Sequence, residues 1–159
     1  YMVYHSRFAE GKNGITEAHE VRVQQLFVNE AGWLVAAPYE YTGEHISKTG
    51  YDMEQMCGEY EYIIHTPTTY YQKAGKATVG IMHPSHITLN EDGSVTGELT
   101  GSWTYEEGSP NMTITLEDIT YQGVFLKMPS EKLYFNQKER EVVMTFTVLG
   151  NNVTAWGSK

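Results

Sequence analysis

Apolar and polar residues alternate along most of this chain with a period of two, the pattern of strands that bury one face. The opening stretch, YMVYHSRF (1–8), puts Val3, His5 and Arg7 on one side and Met2, Tyr4 and Ser6 on the other. After a polar, glycine-containing loop (9–18), HEVRVQQLFV (19–28) reads as a second strand, with Val21, Val23, Gln25 and Phe27 on one face. Residues 29–32, Asn-Glu-Ala-Gly, turn the chain, and 33–36 return as a short third strand. Pro38 ends it, because proline has no N–H to give to a ladder.

Residues 39–56 lose the alternation and carry several charges, so 45–57 reads as a linker with a short helix near 52–57. From Gly58 the strand pattern resumes: 59–66, 76–82, 86–89, 95–105, 111–118, 120–127, 141–150 and 153–158. Asp92-Gly93 and Asn151-Asn152 are hairpin turns by composition. The stretch VTGELTGSWTY (95–105) reads as one strand, with Val95, Leu99, Trp103 and Tyr105 on its apolar face. Gly97 and Gly101 fall on that same face, where small residues let a closed sheet bend sharply. About seven or eight short strands at near-regular spacing imply an all-β fold, an antiparallel β-barrel or sandwich.

Composition agrees. Twelve Tyr and 15 Gly suit a pleated, sharply turning fold. A net charge of −9 argues against nucleic acid, whose phosphates need Lys and Arg. No apolar run approaches the ~18 residues of a membrane span. Cys57 is the single cysteine, so no internal disulfide forms.

The candidate chemistry is sparse. HEVR (19–22) lacks the second histidine that a zinc protease places one helical turn on; Val23 stands there, in a strand. His83 and His86 have metal-ligand spacing without a third ligand nearby, and read as loop residues. The acidic pairs Asp52/Glu54, Glu59/Glu61, Glu106/Glu107 and Glu117/Asp118 are local surface pairs, not two carboxylates facing each other across a cleft. Ser102 has no nucleophile elbow around it, and Cys57 has no basic neighbour.

Two stretches together carry more. YMVYHSRF followed by HEVRVQQLFVNEAGWLVAAPYEYTGE resembles the end of the catalytic domain of the two-domain, extracellular endo-α-1,5-L-arabinanases of glycoside hydrolase family 43. GELTGSWTY, YQGVFLK and MTFTVLGNNVTAWG are similar to the β-barrel domain that follows it there.

The resemblance implies that residues 1–44 are a three-stranded remnant of the last blade of a catalytic β-propeller, that 45–57 link, and that 58–159 form an accessory barrel. It implies an endo-acting, inverting hydrolase of plant-type α-1,5-arabinan, extracellular or at the cell surface. The catalytic carboxylates of such an enzyme lie on earlier blades, so this chain has no catalytic residue, and its partner is an N-terminal propeller segment from the same gene or a separate chain. The resemblance also implies calcium in the intact enzyme, with His5 (or else His19) near the ion, and no cofactor in this chain alone.

Tyr60, Tyr62, Tyr70, Tyr71 and Tyr105 are the candidate carbohydrate contacts, since flat aromatic faces stack on the C–H surfaces of sugars. A second reading takes the same strands as a free-standing, lipocalin-like barrel for an apolar small molecule. An interior filled by Trp103, Phe125, Met144, Phe146 and Trp156 counts against it.

Overall fold

A computed structural model describes residues 1–8, 18–65, 72–73, 76–77, 83–131 and 139–159. The strands are β1 (Met2–Phe8), β2 (Ala18–Gln24), β3 (Leu26–Val28), β4 (Leu34–Ala36), β5 (Gly58–His65), β6 (Gln72–Lys73) and β7 (Lys76–Ala77). They continue as β8 (Ser85–Leu89), β9 (Ser94–Gly97), β10 (Gly101–Tyr105), β11 (Asn111–Leu116), β12 (Ile119–Pro129), β13 (Val142–Gly150) and β14 (Val153–Ser158). One helical turn, α1 (Met53–Met56), precedes β5.

Eight of these strands close into an antiparallel barrel in the order β10-β11-β12-β13-β14-β5-β8-β9. Closure leaves the barrel no free edge. The Asn151-Asn152 turn forms where its composition places it, whereas Glu117-Asp118, read from the sequence as the end of a strand, is also a turn. Asn151 and Asn152 have φ of 50° and 60° between β13 and β14, and Glu117 and Asp118 have 46° and 71° between β11 and β12. Both are two-residue turns with positive φ, whose twist matches that of the strands they join.

The stretch 95–105 is not one strand. It folds back on itself as the β9–β10 hairpin, with Val95 opposite Gly101 and Ser94 opposite Ser102. Gly97, at φ +120°, is the pivot. The period-two pattern runs through this bend because Val95 and Trp103 both face inward on either side of it.

Inside the barrel, Tyr60, Tyr62, Ile87, Leu89, Trp103, Ile114, Phe125, Met144 and Phe146 form one buried cluster. Phe146 is the hub. Its ring centroid lies 5.2 Å from Tyr60, 6.1 Å from Tyr62 and 5.9 Å from Phe125. Gly157 makes room for it, since a Cβ there would overlap Phe146 Cε1 and Cζ. Four of the five residues expected to fill the barrel do so. Trp156 does not: Ala155 and Gly157 point inward on β14, which turns Trp156 outward, half-buried, with His65 edge-on at 4.0 Å.

Residues 51–57 are tied to the barrel. Gln55 Oε1 accepts from the Asp52 N–H at 3.2 Å and holds the helical turn, and Met56 is buried in the core.

The N-terminal strands make two ladders of two, β1–β2 and β3–β4, with the expected second strand interrupted at Gln25. The β3–β4 hairpin lies on the outside of the barrel. Phe27, Val35 and Ala37 meet Val124, Leu126 and Met128 in a second buried cluster. β12 is therefore buried on both faces, with Phe125 inward and Val124 and Leu126 under the hairpin.

The β1–β2 ribbon is held by charge. The Arg22 fork donates to Glu131 Oε2 at 2.8 Å and to Glu20 Oε2 at 3.1 Å, while Glu131 Oε1 accepts the Glu40 N–H at 2.7 Å. These hydrogen bonds, Glu131's first, push the Arg22 pKa further above its already high value. The ribbon leaves Tyr1, Val3 and Val21 exposed, and the hairpin leaves Val28 and Leu34 exposed on the side away from the barrel.

Candidate carbohydrate-contact surface

The five candidate tyrosines separate. Tyr60 and Tyr62 are core residues, 0% and 1% exposed. Burial raises the pKa of both hydroxyls, and Tyr60 donates to the Met56 carbonyl at 2.6 Å. A polysaccharide in solvent meets neither ring. The signal is in the sequence itself: Glu59-Tyr60-Glu61-Tyr62 alternates, and the strand that turns its glutamates to water turns its tyrosines inward. Tyr70 and Tyr71 lie outside the described residues.

Tyr105 is the candidate that lines open space. It is half-buried at the end of β10, stacked at 27° and 6.0 Å on Trp103 inside the barrel. Its ring forms a wall between two grooves. One, of about 520 Å³, is lined by Tyr51, Asp52, Gln55 and Glu107 among others. The other, of about 210 Å³, is lined by Glu30, Glu106, Asn111 and Thr113 among others. Hydrogen bonds from Ser109 and Asn111 lower the Glu106 pKa and favour its anion. Acidic walls with an aromatic partition repel anionic polymers and admit neutral or cationic ligands. Asn111 Nδ2 donates to Glu106 at 2.9 Å, so the amide positions that carboxylate.

No group of three or more His, Cys, Asp or Glu side chains converges among the described residues. Calcium takes six to eight oxygen ligands. His5 is exposed at mid-β1, opposite Val21. His19 pairs through its backbone with Arg7. Among the described residues, His86 meets Glu59 at 3.4 Å, with both side chains well exposed.

A site that the sequence pattern did not single out lies at the tip of the β3–β4 hairpin. Trp33 is 64% exposed there and borders a groove of about 270 Å³ shared with Asn29, Gln122, Asn151 and Asn152. In the sequence this tryptophan reads as ordinary hairpin composition. Its neighbours across the groove come from strands about 90 to 120 positions further on, which no local pattern connects.

The closed barrel matches a known domain. Residues 38–157 fit GH43_C, described as a C-terminal lipocalin-like domain. The chain belongs to this family. As a GH43_C domain it is 37% identical over its whole length to extracellular endo-α-(1→5)-L-arabinanase 2 of Bacillus subtilis (strain 168), and covers 30% of that protein. It is 36% identical over 99% of its length to the extracellular endo-α-(1→5)-L-arabinanase of Thermotoga petrophila, again covering 30%.

Solved structures give the same picture. The family 43 glycoside hydrolase YxiA of Bacillus licheniformis superposes with a TM-score of 0.77 at 33% identity, over 99% of this chain and 31% of that one. The endo-1,5-α-L-arabinanase of Thermotoga petrophila gives 0.75 at 35% identity, over 99% and 31%. The GH43_C chain thus spans about a third of the length of these relatives and corresponds to their C-terminal portion.

Proposed function

We propose that this chain serves as the non-catalytic C-terminal part of an extracellular, endo-acting, inverting hydrolase of α-1,5-linked arabinan, and that it braces the catalytic portion. The observation that carries the reading is coverage. Nearly the whole chain aligns with arabinanases of which it makes up 30%. The chemistry is consistent: the acidic pairs are surface carboxylates.

The exposed apolar residues supply the bracing surface. Val3 and Val21 on the ribbon, with Val28 and Leu34 on the outer side of the hairpin, are 60% exposed or more. Their partner in this reading is an N-terminal β-propeller segment, and calcium belongs with that segment. The apolar-ligand reading loses support from the filled interior, where Phe125 and Phe146 are 0% exposed.

The test supplies the catalytic portion as a separate polypeptide and follows its thermal inactivation on linear arabinan with and without this chain. Slower inactivation in its presence is expected, and Val3→Asp with Val21→Asp should abolish the protection. Identical inactivation in both samples rules the bracing role out.

A further inference from the structure

We infer that the groove beside Trp33 binds a neutral polysaccharide by stacking a sugar ring on the indole. Four observations converge. Trp33 is 64% exposed, whereas Trp103 is 2% exposed and packs in the barrel. The side chains around it across the groove, Gln122, Asn151 and Asn152, are amides, which both donate to and accept from sugar hydroxyls. The groove lining contains no charged residue, in a chain of net charge −9 whose grooves at Tyr105 are walled by carboxylates. And the backbone that carries the platform is pre-set.

That last point rests on Asn29, which is 4% exposed. Its Oδ1 accepts the Trp33 N–H at 2.9 Å, and its own N–H donates to the Trp33 carbonyl at 2.9 Å. Its Nδ2 donates to the Gln122 carbonyl at 3.1 Å, which fastens the turn to β12. One buried amide therefore holds the Trp33 backbone and the opposite wall in a fixed relation, so the ordering left when a ligand arrives is that of the indole's own rotamer.

Trp33 is also distinct from the apolar surface assigned to bracing. Along β4, Val35 faces the barrel and Leu34 faces away. Trp33 shares the parity of Val35 and lies over the β13–β14 turn, while Leu34 and its partner Val28 point to the other side. An aromatic platform ringed by amides is the chemistry of a neutral, hydroxyl-rich ligand; a protein partner of the apolar face would meet Val28 and Leu34 instead.

The inference deepens the arabinan reading above and rests on it only for the choice of first probe. The experiment is affinity electrophoresis of the chain in native gels containing debranched arabinan, galactan or dextran, with polygalacturonate as the anionic comparison. Retardation by arabinan is expected for the natural chain. Trp33→Ala should weaken it by about tenfold or more, the scale of losing a central aromatic anchor, with an unchanged melting temperature because the side chain is exposed. Trp33→Phe should retain part of the binding.

Retardation by galactan or dextran but not arabinan, lost in Trp33→Ala, would uphold the site and count against arabinan as the substrate. Full binding by Trp33→Ala, binding lost only in Tyr105→Ala, or no retardation by any of the three neutral polymers would overturn the site. In those cases the bracing test stands separately.

Discussion

Replacing Phe146 by alanine tests whether the barrel is a solid brace or a ligand-binding cup. The ring is fully buried, with Tyr60, Tyr62 and Phe125 around it. Buried Phe→Ala changes cost about 3–5 kcal/mol, and the cost rises when the surroundings cannot collapse into the space. Here they cannot. The three aromatic neighbours sit on ladder strands of a closed barrel, and Gly157 on the adjacent strand has no side chain to move in. The upper half of the range follows, about 4–5 kcal/mol. A domain of this size has about 5–15 kcal/mol in total, so the variant should stay folded at room temperature with a much lower urea midpoint. The denaturant slope should not change, because the surface exposed on unfolding is nearly the same.

The companion measurement is uptake of an apolar probe. The natural chain should take up none, and Phe146→Ala should admit a benzene-sized molecule into its new, dry cavity. Stoichiometric apolar binding by the natural chain, together with a cost below about 1 kcal/mol for Phe146→Ala, would show an open interior. It would restore the small-molecule reading.

Two further outcomes follow from the charges. Glu131→Gln should loosen the β1–β2 ribbon, costing about 1–2 kcal/mol because the Arg22 pair is partly buried and charge-assisted. Hydrogen exchange should localise the effect to β1 and β2, and unchanged protection there would refute the coupling. His65 supplies the pH dependence. Burial lowers its pKa from 6.5, and its Nε2 meets no protein partner among the described residues. As pH falls through 6.5 the unfolded chain takes up the proton first, so stability drops on acidification below that value and is fully present above it. His65→Phe should flatten this limb of a stability-versus-pH curve; an unaltered limb assigns it to another group.

Much of the fold is legible in the sequence, for physical reasons that also explain the exceptions. The Asn29-to-Gly32 turn and the Asn151-Asn152 hairpin are local chemistry, since side-chain capping and positive φ need particular residues, and both form where the sequence places them. The 95–105 hairpin escapes because the alternation that marks a strand is also what two consecutive inward-facing strands produce when a glycine joins them. Tyr60 and Tyr62 are assigned to the surface only if tyrosine chemistry is weighed above the glutamates that alternate with them. Trp156 is misjudged by composition alone, since its face is set by Gly157, which must point inward to clear Phe146. The Trp33 groove was not legible at all: its walls come from the β3–β4 turn, β12, the end of β13 and the β13–β14 turn, and only the closed barrel brings them together.

The central claim, a polysaccharide-hydrolase domain that does no cutting, is tested most directly on linear α-1,5-arabinan. The purified chain is incubated with the polymer and the supernatant is analysed for arabino-oligosaccharides by chromatography. The account predicts no product at any chain concentration. Oligosaccharide release that rises in proportion to the chain, and survives substitution of any co-purifying hydrolase's preparation, would contradict it.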